Sequence, residues 1–172
     1  MMKRTYECIA RRMGVMVLQA LFVVTVAAQT DYDMRYTVAF DTLGHYLKVQ
    51  LDYQQNSQVN ELVLNMPRWT PGYYEMLNFP KHLCDFVAED VQGKPLSWKK
   101  DGMNRWRISL PVDGKAHVSY RVYANQRDVA SSRVEGNLAF VAPAGVFMYV
   151  DGQTVHPVTV HFDMPITWEH IA

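Results

Sequence analysis

Apolar and polar residues alternate with a period of two along most of this chain. Met34, Tyr36, Val38 and Phe40 alternate with Arg35, Thr37, Ala39 and Asp41. Leu47, Val49, Leu51 and Tyr53 alternate with Lys48, Gln50 and Asp52, and Leu62, Leu64 and Met66 form a third row. Successive strand residues point to opposite faces, so each row predicts one buried face of a strand. Cys84, Phe86 and Ala88 share a face in a segment that begins irregularly at Pro80, and Leu96 and Trp98 mark a short strand. Trp106, Ile108 and Leu110 follow, then Val118, Tyr120, Val122 and Ala124. Leu138 to Val141, Phe147 with Tyr149, and Val158, Val160, Phe162 and Met164 complete the series. Gly44, the polar stretch Gln54 to Ser57 with Gln58, Val91 to Lys94, and Asp151-Gly152 punctuate it. Asp101-Gly102 and Asp113-Gly114 are hairpin signals. Gln126 to Gly136 is the longest polar stretch, a loop or a carrier of one helical turn. The pattern predicts an all-β fold, an antiparallel β-sandwich of about nine or ten strands.

The alternation is absent before residue 29. Lys3, Arg4, Arg11 and Arg12 make a basic start, and Met13 to Ala28 is an uncharged, mostly apolar run ending Val26-Ala27-Ala28. Small residues at the last and third-last positions suit a signal peptidase. The expected division is a signal peptide over 1–28 and a β-sandwich domain over 29–172. An uncleaved anchor is the alternative, but it asks for about 20 apolar residues. The expected location is therefore periplasmic or extracellular, with no stable membrane span after cleavage. Cys8 lies in the basic segment, so the exported domain keeps Cys84 alone and has no internal disulfide. The core must hold the fold, and Cys84 reads as a small core residue.

Charge and chemistry narrow the function classes. The chain carries 17 basic and 17 acidic residues, which removes the electrostatic case for nucleic acid. Among the six histidines no two stand four apart around a glutamate, as a thermolysin-type zinc site requires. His156 and His161 are five apart and point to opposite faces of a strand. His117 and His161 could be cross-strand neighbours, but two ligands fall short of a metal set. Ser131-Ser132 lacks a nucleophile elbow, and no phosphate-cradling glycine motif occurs.

One segment breaks the alternation. Met66-Pro67-Arg68-Trp69-Thr70-Pro71-Gly72-Tyr73-Tyr74 packs two prolines, a glycine and three large aromatics into nine residues. Pro71 and Gly72 fit the second and third positions of a type II turn. Such a turn holds Trp69, Tyr73 and Tyr74 at one end of the preceding strand, either as core cover or as a recognition surface.

The nonapeptide resembles the hallmark of the N-terminal domain of the glycyl aminopeptidase family, metallopeptidase family sixty-one. Asn78-Phe79, Phe86 to Asp90, Gly93 to Leu96, Trp106, Val118 to Ala124, Phe147 to Gly152 and Met164-Pro165 with Trp168 agree with it. The family usually has serine where this chain has Tyr73, so any hydrogen bond of that serine is not carried over. The resemblance implies a non-catalytic domain that supports or caps a thermolysin-like catalytic domain, in a longer protein of which this chain is a shortened form. No cofactor is expected in this chain, and zinc only in that catalytic domain. The implied activity of the whole is a zinc aminopeptidase with a preference for N-terminal glycine and related small residues. Trp69, Thr70, Pro71, Gly72, Tyr73 and Tyr74 are the candidate interface or substrate-adjacent loop. Their partner is the catalytic domain, or a second copy through self-association of the exposed aromatics. Another class stays open: a stand-alone envelope module binding peptide or carbohydrate on the same aromatics.

Overall fold

The computed structural model describes residues 32–55 and 59–168. The signal-peptide expectation and the tip of the polar turn near Asn56 lie outside them. Eleven strands form: β1 (Tyr32–Asp41), β2 (Tyr46–Gln55), β3 (Glu61–Asn65), β4 (Leu83–Glu89), β5 (Trp98–Asp101), β6 (Arg105–Ser109), β7 (Lys115–Tyr123), β8 (Arg133–Val134), β9 (Ala139–Phe140), β10 (Tyr149–Val150) and β11 (Thr159–Asp163). One sheet has the order β11-β1-β2-β7-β4 and a second the order β10-β3-β6-β5. Strands β8 and β9 pair separately. No α-helix occurs among the described residues, only one-turn 3-10 helices at Phe79–His82 and Pro143–Gly145.

The period-two rows become the two inner faces. Met34, Tyr36, Val38, Leu47, Val49, Leu51, Tyr53, Val118, Tyr120 and Val122 are buried on the first sheet, and Leu62, Leu64, Trp106 and Ile108 on the second. Phe86 of β4 joins the layers: its ring stacks on Trp106 with centroids 5.6 Å apart and meets the edge of Trp98 at 4.7 Å. Trp98 itself is 40% exposed, because β5 is the edge of its sheet. Tyr36 and Tyr120 are buried with their hydroxyls donating to the carbonyls of Met148 and Val146, each at 2.7 Å. These bonds tie the connection after β9 to the inner face of the first sheet, and burial pushes the Tyr120 phenol well above its ordinary pKa.

Three details differ from the expectation. Strand β11 pairs with β1 in parallel, Arg35 beside Thr159 and Ala39 beside Asp163, so the sandwich is not wholly antiparallel. Asp113-Gly114 is a crossing between sheets rather than a hairpin, since β6 pairs with β3 and β5 while β7 pairs with β2 and β4. Its Gly114 takes φ 66° and lies against the carbonyl of Gln55, which accounts for the glycine without a hairpin. Cys84 is only half-buried, because β4 is bulged between Cys84 and Val87. Asp85 takes φ 53° there and pairs with Arg121.

The strand directions sort the connections to two ends. β1 finishes where β2 begins, Asp41 beside Tyr46, and β7 finishes beside the start of β4, Val122 beside Leu83. The end of β3 lies beside the start of β6, Asn65 against Arg105. The crossing from β3 to β4 therefore lies at this end. Because β11 runs parallel to β1, it also carries the chain toward this end.

Candidate functional site

The crossing from β3 to β4 holds the nonapeptide, and its geometry builds up from the strand. Met66 is fully buried at the end of β3. Its backbone N–H donates to the carbonyl of Asn104 at 2.9 Å, and the Asn104 side-chain amide donates to the Met66 carbonyl at 3.1 Å. The turn between β5 and β6 thus grips the base of the loop. The neck closes at Arg68 and Asn78. The Asn78 N–H donates to the Arg68 carbonyl at 2.9 Å, and Arg68 Nε donates to Asn78 Oδ1 at 2.8 Å. Asn78 has φ 50°, a left-handed conformation that asparagine tolerates better than most residues, and leads directly into the 3-10 helix.

The tip follows the expected turn. Tyr73 N–H donates to the Thr70 carbonyl at 3.3 Å, with Pro71 and Gly72 between them and Gly72 at φ 87°. A positive φ at the third position is what a type II turn demands. Trp69 folds back and its indole N–H donates to the Tyr73 carbonyl at 2.6 Å. Both bonds use the backbone of Tyr73, so a serine at this position could make them equally. Trp69 is 45% exposed, Tyr73 and Thr70 are half-buried, and Pro71, Gly72 and Tyr74 are exposed. The structure thus joins Trp69 to Tyr73 and leaves Tyr74 projecting.

Other connections at the loop-bearing end also expose apolar side chains. Met76 is exposed on the loop's return arm, Leu43 on the turn from β1 to β2, Met103 on the turn from β5 to β6, and Ile166 just after β11. All belong to connections at the loop-bearing end. At the far end Val91, Val112 and Val155 are exposed, and Trp98 at the start of the edge strand β5 is 40% exposed. Sequence reasoning singled out the nonapeptide but missed Leu43, Met103 and Ile166. Strand direction, which puts their connections at the same end, is not encoded in any local pattern.

The chemistry-bearing residues lie elsewhere. A cleft of about 530 Å³ on the first sheet at the far end is lined by Asp33, Arg35, Asp52, Glu89, Asp90 and His117, among others. His117 Nδ1 lies 2.7 Å from the Asp52 carboxylate, a largely exposed pair across β2 and β7. His117 and His161 do not meet, because β1 and β2 stand between β7 and β11. Three strand spacings separate them, about 14 Å. Among the described residues, no group of three or more His, Cys, Asp or Glu side chains is placed to hold a metal ion. The Cys84 thiol is pushed up, first by burial and then by the neighbouring Asp85, with Arg121 opposing, which disfavours the thiolate.

The Peptidase M61 N-terminal domain family matches residues 35–171. The chain belongs to that family. A crystal structure of an aminopeptidase N family protein from Idiomarina loihiensis is similar to this M61 N-terminal domain, with a TM-score of 0.71 and 30% identity. The match covers 78% of this chain and 22% of that one, so the domain spans about a fifth of that protein's length. Legionella pneumophila aminopeptidase A, solved in complex with aspartic acid, aligns with a TM-score of 0.42 and 16% identity over 69% of this chain and 14% of its own. No curated protein matches the chain.

Proposed function

We propose that this M61 N-terminal domain is the non-catalytic partner of a zinc aminopeptidase catalytic domain in an exported protein, and that it supports or caps that domain through the Trp69–Tyr74 loop. The observation that carries the reading is a loop whose neck and tip are both hydrogen-bonded while Trp69, Tyr74 and Met76 stay exposed on it, at an end where Leu43, Met103 and Ile166 are exposed too. A loop already held in shape loses little conformational entropy when a partner covers it. The direction of β11 supports the same face, because it leads the chain to that end. The family match supports the class of partner. Zinc and substrate belong to the partner in this reading.

Incubation of the domain alone with glycyl and alanyl amides and added zinc is expected to give no hydrolysis above buffer. The separately expressed catalytic domain is expected to gain stability when this domain is added. Chelator-sensitive turnover by the isolated domain that survives repurification would overturn the non-catalytic assignment. Specific binding of a glycan by the loop, with no effect on the catalytic domain, would favour a stand-alone binding module.

A further inference from the structure

Beneath the aromatic loop, a second cleft of about 200 Å³ is lined by Arg68, Asn78, Pro80, Lys81, Lys100 and Met103. Three of its six lining residues are cationic and none is acidic. The chain as a whole has equal numbers of basic and acidic residues, so the cleft departs from that balance. Of the six other arginines among the described residues, five meet a carboxylate (Arg35, Arg105, Arg107, Arg121 and Arg133), and the sixth, Arg127, is exposed. Among the described residues no carboxylate pairs with Arg68, Lys81 or Lys100. Arg68 is half-buried, where an uncompensated charge costs more than on an open surface.

The cations are also positioned. Asn78 accepts the Nε proton of Arg68 and holds its backbone, which fixes the plane of the guanidinium and leaves the terminal nitrogens for another group. Lys100 lies with Nζ 4.9 Å from the centroid of the Trp106 ring, a cation–π contact that limits where the ammonium can go. The buried Pro80 and the exposed Met103 supply apolar wall, which strengthens a charge interaction relative to open water. A planar fork flanked by two point charges matches a carboxylate, which can accept two parallel N–H bonds from arginine.

We propose that this cleft is a carboxylate-binding site, taking the carboxylate of a peptide, either its free C-terminus or an aspartate or glutamate side chain.

The test is calorimetric titration of the domain with three probes. Acetyl-Gly-Gly presents a terminal carboxylate, its C-terminal amide presents none, and acetyl-Glu-amide presents only a side-chain carboxylate. Inorganic phosphate serves as the control anion. Saturable binding of at least one carboxylate probe, with the Gly-Gly amide silent, is expected. Tighter binding of acetyl-Gly-Gly assigns the site to peptide C-termini, and tighter binding of acetyl-Glu-amide assigns it to acidic side chains. Arg68→Gln should weaken binding about tenfold. Because Arg68 also closes the neck of the loop, Lys100→Gln is the second variant; Lys100 holds no hydrogen bond there, and a several-fold loss is expected. Added salt should weaken binding only modestly if the contact is partly desolvated. The proposal is overturned if no carboxylate probe saturates, if phosphate binds as tightly as the carboxylates, or if both variants bind like the parent.

Discussion

At the scale of single residues, the sequence showed the turn within the nonapeptide but not how its side chains fold around that turn. Pro71 and Gly72 were legible because a type II turn has strict backbone needs. The indole bond from Trp69 to the Tyr73 carbonyl was not, since nothing in the residue types says which way a half-exposed tryptophan folds. Burial of Tyr36 and Tyr120 could be read from alternation, but not the carbonyls of Met148 and Val146 that receive their hydroxyls from 112 and 26 residues away. Tyr120→Phe leaves the Val146 carbonyl buried without its donor, so a loss of about 1–3 kcal/mol is expected by urea denaturation. His82 carries a pH prediction. Burial, then the nearby Lys81 charge, hold its pKa below the ordinary 6.5, while Asp128 opposes them. The unfolded chain therefore takes up a proton on His82 at a higher pH than the folded one. Stability should be full above pH 6.5 and fall as the pH drops toward the depressed value. Asp41 and Asp101, both held below 3.8, add a second loss at lower pH. Asp41 is lowered first by the Gly44 N–H, and Asp101 by the Arg107 guanidinium. Thermal melts at pH 7.5 and 5.5 should differ less for His82→Gln than for the parent. An equal difference in both proteins would remove His82 from the explanation.

At the scale of elements, the inner faces of β1, β2, β3, β6 and β7 follow the period-two rows almost residue for residue, because side-chain alternation on a half-buried strand is a local property. What alternation does not carry is the choice of neighbour. Val160 and Phe162 announce a strand, yet the parallel pairing of β11 with β1 depends on the whole crossing from β10. The short β8, β9 and β10 were blurred for a related reason: two-residue strands are too brief to show a period. Asp113-Gly114 looked like a hairpin because the glycine signal reports only a positive φ, and a sheet-to-sheet crossing needs one too. Gly114→Ala tests that account. Its Cβ would lie 3.1 Å from the Gln55 carbonyl oxygen in a left-handed conformation, so a loss of about 1–2 kcal/mol is expected from a denaturation midpoint. Gly72→Ala has open space around it, so it should strain the loop tip and leave the core intact. A Gly114→Ala protein as stable as the parent would mean that this crossing relaxes freely.

At the scale of the whole molecule, the two ends of the sandwich differ in chemistry. One exposes Leu43, Trp69, Tyr74, Met76, Met103 and Ile166 on its connections and has the cleft lined by Arg68, Lys81 and Lys100. The other opens on a cleft of mixed charge, with Asp33, Asp52, Glu89 and Asp90 beside Arg35 and Lys115. The docking account assigns the first end to the catalytic domain, and the most direct measurement is a titration of this domain against that catalytic domain, expressed separately. Trp69→Ala should weaken binding by on the order of 2 kcal/mol, partly through lost contact and partly because the loop loses its indole clamp. Tyr74→Ala removes an exposed ring that makes no hydrogen bond within the loop, so it should weaken binding while leaving the thermal melt unchanged. Saturable binding that falls in both variants, with Tyr74→Ala as stable as the parent, is the predicted result. Undiminished binding by a folded Tyr74→Ala and a folded Trp69→Ala would contradict the account, and unfolding of Trp69→Ala would return that tryptophan to the core.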